Sequence, residues 1–402
     1  MRPEELAAAG ELAADAAAEF TARVRETHEA IARRAFGAAG AASPVKLVHD
    51  GIAGLVYGSV AGLTRLGLRH AGRMLAVAVP EDAPALEAGR GGRRVVAALN
   101  GAAGDRLHDR HSPLELKLSL CQNGTAVPLT EEGLAAAFPG ATPRLAVFVH
   151  GLGQSEDTWN DRDGRTLYPR GLSQRFGMTP LLLRYNSGRP VAENGFELAA
   201  LLERLVQRWP VEVQEITLVG HAHGALVCHR ACEMQATAPW VARVRHIVAL
   251  GAPHRGAVVE SVTRAASSAL RRLPETRAAG RALELRSAGI KDGGGGEIQF
   301  LPHVRYLFVS ASILRGAPPK WGARLGDLVV SRDSAWAHPG NGAAMRFPVE
   351  SYREIGGLGH FELAHHPVVM DQIVGWLVQQ HPELPPARPA LADRRRGGRP
   401  DA

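Results

Sequence analysis

Between residues 115 and 382 the chain repeatedly shows a short apolar run followed by a stretch with helical spacing. Residues 196–209 and 225–235 are two of these helical stretches. Strands that lack polar alternation are buried on both faces, which is typical of a parallel sheet between two layers of helices. The pattern therefore predicts an α/β domain. Its predicted strands are 145–149, 180–184, 216–219, 246–250 and 304–309.

A two-residue period comes just before these strands. Leucines at 114, 116, 118 and 120 alternate with polar residues, and Gln122-Asn123-Gly124 offers a tight turn. Alternation that ends in Asn-Gly predicts a β-hairpin, which would begin the sheet.

The first hundred residues have the period of helices instead. Apolar positions over residues 3–36, 45–79 and 93–107 recur every three or four residues, which predicts three helices. We therefore expect a helical extension, an arm or cap, over residues 1–112 and the α/β domain over 113–383, with a lid insertion at about 258–300. Residues 384–402, which contain Arg394-Arg395-Arg396, are expected to form a flexible basic tail.

The charge balance gives little reason to expect a nucleic-acid partner. The chain has 47 basic and 40 acidic residues, for a net charge of +7. Only four of the basic residues are lysines, so the basicity resembles an arginine bias of the coding sequence. We predict no nucleic-acid partner, and contact of the arm and tail with an anionic membrane or polymer surface is kept as an alternative.

Cysteine content and the N-terminus predict a cytoplasmic protein. Cys121, Cys228 and Cys232 form no CxxC pair, and three cysteines do not suit a disulfide framework. The N-terminus has no apolar signal core. The uncharged run 51–64 is short for a membrane span, and its glycines at 51, 54, 58 and 62 share one helical face, which favours close helix packing.

A sharp turn between a predicted strand and a helix carries the main functional signal. The strand 216–219 runs into Gly220-His221-Ala222-His223-Gly224, and a helix follows. Flanking glycines in this context allow a strained central residue to project from the sheet, as in a nucleophile elbow. Here the central residue is Ala222, whose methyl group cannot attack a carbonyl.

Further candidate residues follow other predicted strands. His150-Gly151-Leu152-Gly153 comes directly after the strand 145–149, and its backbone N–H groups could face a developing oxyanion together with the N–H of His223. Asp327 and His360 come later, in the order elbow, acid, histidine. Because the carboxyl ends of parallel strands share one edge, these residues are expected to meet there.

With these motifs, the chain resembles bacterial lipase/esterase-type α/β-hydrolases, similar to inositol-deacylase-like and serine-esterase-like lipases. Residues 148–153, 184–188, 218–221, 250–256 and 359–361 carry the resemblance. It implies the α/β-hydrolase fold over roughly 115–380 and an acyl ester or lipid-like substrate. It also implies a nucleophile position at Ala222, an acid at Asp327 and a base at His360. The oxyanion donors would be Leu152 and His223, and the substrate-binding residues His150, Gly151, Gly153 and His221.

Ala222 leaves two interpretations open. In an intact triad the serine hydroxyl attacks the ester, the histidine relays its proton, and the aspartate holds the imidazole. Retention of Asp327 and His360 favours a serine deliberately replaced to silence a carboxylester hydrolase, an inactive or substrate-trapping form. The family that the chain resembles usually has Thr or Ser where this chain has Ala252, and often Gly where it has Ala225. These departures favour a natural pseudo-hydrolase that binds an acyl ligand or a protein. The oligomeric state is not readable.

No metal or cofactor is predicted. The histidines at 221, 223 and 360 suggest a ligand set, but no carboxylate or thiolate accompanies them at zinc-like spacing. The four glycines 293–296 lack the Lys-Ser/Thr of a phosphate-binding loop and are expected to form a flexible loop.

Overall fold

The computed structural model describes residues 1–36, 44–160, 166–253, 299–313 and 351–382. Within them, eight strands form one sheet in the order β2-β1-β4-β3-β5-β6-β7-β8. The hairpin strand β1 is antiparallel to β2 and β4, and the strands from β4 to β8 run parallel to one another. The strands are β1 (Ser119–Gln122), β2 (Thr125–Ala126), β3 (Arg144–Val149), β4 (Thr179–Arg184), β5 (Glu215–His221), β6 (Val244–Leu250), β7 (Arg305–Ser312) and β8 (Tyr352–Gly356).

Helices cover both faces of this sheet. The central strand β3 shows why, because Leu145 and Val147 pack with the helices over 191–208 and 223–234, while Ala146 and Phe148 pack with those over 167–176 and 367–380. The continuous apolar run predicted this two-sided burial. The described helices are α1 (Pro3–Phe36), α2 (Pro44–Val77), α3 (Arg90–Asp109), α4 (Glu131–Ala137), α5 (Leu167–Phe176), α6 (Val191–Arg208), α7 (His223–Met234) and α8 (Pro367–Gln380).

The hairpin is shorter than its alternating leucines predict. Asn123 and Gly124 make the expected turn with positive φ, but residues 114–118 do not join the sheet. Instead, Asn100 of α3 donates a hydrogen bond to the carbonyl of Leu114 and accepts one from the N–H of Leu116. The backbone groups that a strand would pair are thus satisfied by a helix side chain.

Helices α1 and α2 pair as a long hairpin. They approach most closely at Gly10 and Gly72, where a Cβ on either residue would lie 2.9 Å from the Cα of the other. The close packing predicted for the glycines at 51, 54, 58 and 62 is not found, because no described heavy atom outside their own stretch of helix lies within 4 Å of a Cβ built there. By length and composition, Val45–Val77 could cross a membrane, and its apolar window is not buried.

The third helix packs directly onto the α/β domain. A Cβ at Gly101 would lie 2.5 Å from the Cα of Gly153, and one at Gly104 would lie 1.9 Å from Oδ1 of Asn186. Asn186 also donates a 2.8 Å hydrogen bond to the Gly104 carbonyl. The domain boundary at 112 stays a prediction, but α3 itself is in van der Waals contact with the loops after β3 and β4.

Candidate active site

Ala222 occupies a strained backbone conformation at the carboxyl end of β5. Its φ is +49° and its ψ is −119°, a region that residues with a Cβ seldom adopt. Its N–H donates a 2.7 Å hydrogen bond to the Leu250 carbonyl of the neighbouring strand. The chain then turns at once into α7, so the geometry is that of a nucleophile elbow.

Two glycines permit this turn. A Cβ at Gly220 would lie 2.3 Å from the Cα of Ala225, and a Cβ at Gly224 would lie 2.3 Å from the carbonyl oxygens of Val149 and His150. No side chain fits at these distances. The strand, elbow and helix can therefore pack this tightly only with glycine at both positions.

Below the elbow, His221 lies between two oxygen acceptors, and its neutral imidazole can donate a hydrogen bond to one of them at a time. Its Nδ1 lies 2.9 Å from Oε1 of Gln154, and its Nε2 lies 3.1 Å from the carbonyl oxygen of His360. Burial, with the nearby His360 as a smaller cause, lowers the pKa of His221 to about 3, so its imidazole is neutral. The side chain is fully buried and in this structure positions the elbow.

The glycine-rich turn after β3 faces the elbow. A Cβ at Gly151 would lie 3.3 Å from that of Ala222. Gly151 donates its N–H to Oε1 of Gln154 over 2.8 Å, and Gly153 donates its N–H to the hydroxyl of Ser187 over 2.8 Å. Among the described residues, the intervening N–H of Leu152 has no acceptor, which suits an oxyanion donor.

His150 anchors this turn from beneath. Its Nε2 accepts the N–H of Tyr185 at 3.3 Å, and its ring stacks on the Tyr185 ring with centroids 4.4 Å apart. The Tyr185 hydroxyl donates to the His150 carbonyl over 2.8 Å and lies 3.3 Å from Nδ1 of His223. Burial lowers the pKa of His150 to about 3. This neutral, fully buried ring positions the turn, and substrate contact at Gly151 and Gly153 stays a prediction.

His360 reaches the same edge of the sheet from the loop after β8. Gly251, which follows the Leu250 that holds Ala222, leaves room for it, because a Cβ there would lie 3.1 Å from Cε1 of His360. The two rings of His221 and His360 are 4.9 Å apart. The predicted acid, Asp327, lies outside the described residues. So do the predicted tail and all of the predicted lid except residues 299 and 300.

A cavity of about 400 Å³ opens beside the glycine-rich turn. Its wall includes Gly153 and Gln154 from the turn, Phe361 next to the predicted base, and Arg94 and Ala97 from α3. The N-terminal extension thus supplies part of the cleft. The other lining residues are Ser155, Asp157, Thr158, Asn160 and His365.

Several positioning residues are absent from the sequence prediction. Gln154 joins the turn to the elbow through one oxygen, and Ser187 and Tyr185 hold the turn from β4. The sequence signals Gln154 only by its place directly after Gly153. It signals Tyr185 and Ser187 only through the resemblance that the run 184–188 carries. The arrangement offers a strained elbow, a facing N–H donor and a nearby imidazole, but its central residue, Ala222, carries no nucleophilic group.

No family model and no curated protein matches the sequence. The fold is similar to the mature lipase BlEst2 of Bacillus licheniformis (18% identity, TM-score 0.41), over 60% of this chain and 93% of that one. The match to an esterase of Pyrococcus furiosus (13% identity, TM-score 0.35) covers 61% of this chain and 83% of that one. The match to the carboxylesterase CesB of Bacillus subtilis (11% identity, TM-score 0.33) covers 59% of this chain and 84% of that one. The strand order and the elbow at β5 give the chain the α/β-hydrolase fold.

Proposed function

We propose that this chain is the scaffold of a carboxylester hydrolase of the esterase or lipase type, with its nucleophile position occupied by Ala222. The observation that carries the proposal is the positive φ of Ala222 at the turn from β5 to α7. An alanine would pack equally well in an unstrained turn, so the strain brings it no advantage. The same backbone with a serine would present the hydroxyl to the cleft.

The proposed chemistry assigns each group one role. A serine at position 222 would attack an ester carbonyl, and His360 would take the hydroxyl proton and return it to the leaving alcohol. Asp327 would orient His360, and the N–H groups of Leu152 and His223 would stabilise the oxyanion. With Ala222 the covalent route is closed, so this form would bind an acyl ester without turning it over.

The substitution Ala222→Ser tests the proposal. We expect hydrolysis of short- and medium-chain p-nitrophenyl esters to rise by about 10³-fold or more, because loss of a nucleophile costs on the order of 10⁶ and binding alone retains part of the rate. The variant should also react with a fluorophosphonate probe, measured by the mass of the adduct.

Two further variants make this result specific. Ala225→Ser adds the same hydroxyl one turn into α7, at a fully buried position, and should gain neither activity nor adduct. His360→Gln in the Ala222→Ser background should remove the gain. A folded Ala222→Ser variant that stays inert toward a panel of esters and toward the probe contradicts the proposal.

A natural pseudo-hydrolase is the alternative function, in which the old cleft binds an acyl ligand or a protein. The cavity beside Gly153 and the retained glycine-rich turn support it. The natural gene discriminates the two proposals, because an alanine codon at position 222 favours the pseudo-hydrolase and a serine codon removes it. We keep a cytoplasmic location as a proposal, which the three buried, free thiols suit.

We also propose that the chain contacts a membrane surface, through one side of α2. Seven exposed apolar side chains of α2 share the side opposite α1, which we term the outer face of α2. Each exposes more than half of its surface, and contact with a lipid surface would cover them. They are Val45, Val48, Ile52, Leu55, Val56, Leu63 and Leu66.

Sedimentation with vesicles tests this surface. The chain should sediment with vesicles of phosphatidylcholine and phosphatidylglycerol, and Leu55→Gln together with Leu63→Gln should reduce the bound fraction several-fold, because apolar area drives the contact. Leu47→Gln is the matched control, since Leu47 is equally exposed but lies off the outer face. Wild-type protein that stays in the supernatant contradicts the proposal.

A further inference from the structure

Three buried side chains meet at the end of the sheet opposite the elbow. Glu215 is the first residue of β5, His246 lies on the neighbouring strand β6, and His381 follows α8. Each has less than a tenth of its surface exposed. Since β5 has seven residues and a strand rises about 3.3 Å per residue, the cluster lies about 20 Å from Ala222 and takes no part in the chemistry proposed there.

Their ligand atoms converge on one point. Oε1 of Glu215 lies 3.2 Å from Nδ1 of His246 and 3.3 Å from Nε2 of His381, and all three atoms lie within 4.8 Å of one another. A tetrahedral zinc ion with ligands about 2.0–2.1 Å away places those ligands about 3.4 Å apart. Two of the three separations therefore already have the length that a shared zinc ion would impose.

Hydrogen bonding does not account for the position of the carboxylate. Although both imidazoles are close, Oε1 of Glu215 accepts no hydrogen bond of acceptable geometry from any described residue. A buried carboxylate oxygen without a donor is costly.

The three side chains would supply three of the four ligands of a tetrahedral zinc ion, and a water molecule would be the fourth. Arg144 approaches the other carboxylate oxygen, with Nε 3.6 Å from Oε2 of Glu215, and Thr217 places its hydroxyl 3.2 Å from Nδ1 of His246. The rings of Trp376 and Phe176 pack against the two histidines, with centroids 5.5 Å and 6.0 Å away. An apolar wall around a small polar set lowers the local dielectric constant and strengthens metal–ligand attraction.

We propose that Glu215, His246 and His381 bind a divalent transition-metal ion, in the first place zinc. Two imidazoles and a carboxylate are a ligand set that zinc uses in proteins. The ion would fasten the end of α8 to the base of the sheet, because His381 belongs to the C-terminal segment while the other two ligands belong to central strands. No short motif joins these residues, which is why the spacing of the sequence predicted no metal.

Metal content of the untagged full chain is the first test. The protein is incubated with zinc chloride and dialysed, and its metal content is measured by elemental mass spectrometry. We expect one zinc ion per chain. Glu215→Gln and His381→Asn should each weaken zinc binding by more than roughly a hundredfold in a chelator competition. His70→Asn, which removes an exposed histidine of α2, should change nothing. Wild-type protein with no stoichiometric zinc overturns the proposal.

Cobalt gives a readout that needs no variant. Cobalt(II) in place of zinc should produce the strong visible absorption of a four- or five-coordinate site with imidazole ligands. Zinc should also raise the midpoint of thermal unfolding of the wild type, since a ligand that binds only the folded chain stabilises it. The weak spectrum of hydrated cobalt, with no shift on adding zinc, overturns the proposal, and neither result depends on esterase activity.

Discussion

Neutral buried histidines support the elbow and the glycine-rich turn at the carboxyl end of the sheet. His150 holds the glycine-rich turn through its own carbonyl and Tyr185, and His221 holds the elbow through Gln154. Each ring is hydrogen-bonded in the uncharged form and has no accessible surface. A proton added to either ring would therefore create a buried charge without a counter-ion.

This arrangement predicts that the fold is sensitive to mild acid. The pKa of His150 and of His221 is lowered to about 3 in the folded chain, whereas both titrate near 6.5 when unfolded. The unfolded chain thus binds more protons below about pH 6.5, and the free energy of unfolding should fall by roughly 2 kcal/mol for each histidine between about pH 7 and pH 5.

Urea unfolding at several pH values measures this loss. Replacing His150 by glutamine should reduce the pH dependence by about one histidine's share, provided the variant folds by circular dichroism. Equal free energies of unfolding for the wild type at both ends of the range would contradict the assignment of neutral rings.

At the scale of elements, the contact of α3 with the α/β domain depends on close approach of backbones. Gly104 carries the contact, because a Cβ there would lie 1.9 Å from Oδ1 of Asn186 and 2.9 Å from the Cα of Gly188. Neither neighbour can retreat freely, since Asn186 is itself hydrogen-bonded to the Gly104 carbonyl. Gly104→Ala should therefore lower the free energy of unfolding by about 1–3 kcal/mol.

Gly91 on the same helix provides the matched control. A Cβ built at Gly91 meets no heavy atom within 4 Å, so Gly91→Ala should leave stability unchanged or slightly raised, because alanine favours the helix. Chemical denaturation of both variants checks the pair. Equal effects at the two positions would mean that α3 does not pack against the domain as described.

Across the whole molecule, the sequence predicts features whose cause is local. The strand β3 is evident because each of its residues after Arg144 is apolar, and the elbow because Gly220 and Gly224 flank it within five positions. The turn at Asn123-Gly124 is likewise a local backbone requirement. These predictions are confirmed because steric and burial demands leave a period or a glycine in the sequence.

Long-range polar contacts leave no such trace. Asn100 diverts residues 114–118 from the sheet, and Gln154 spans from the turn to His221, although neither residue stands in a recognisable pattern. The same is true of His381 beside Glu215. One side chain that satisfies two distant backbone or ring atoms is specified by the packed fold alone, so it has to be found in three dimensions.

The helical hairpin is fastened to the wall of the cleft. Glu5 of α1 accepts the N–H of Leu86 just before α3 over 2.8 Å, and Arg106 of α3 donates to Glu19 of α1 over 3.1 Å. Arg94 and Ala97 of the same α3 line the cavity beside the glycine-rich turn. One helix therefore both holds the helical hairpin and forms part of the cavity wall, so a substitution that displaces the hairpin from α3 should also alter the shape of the cavity.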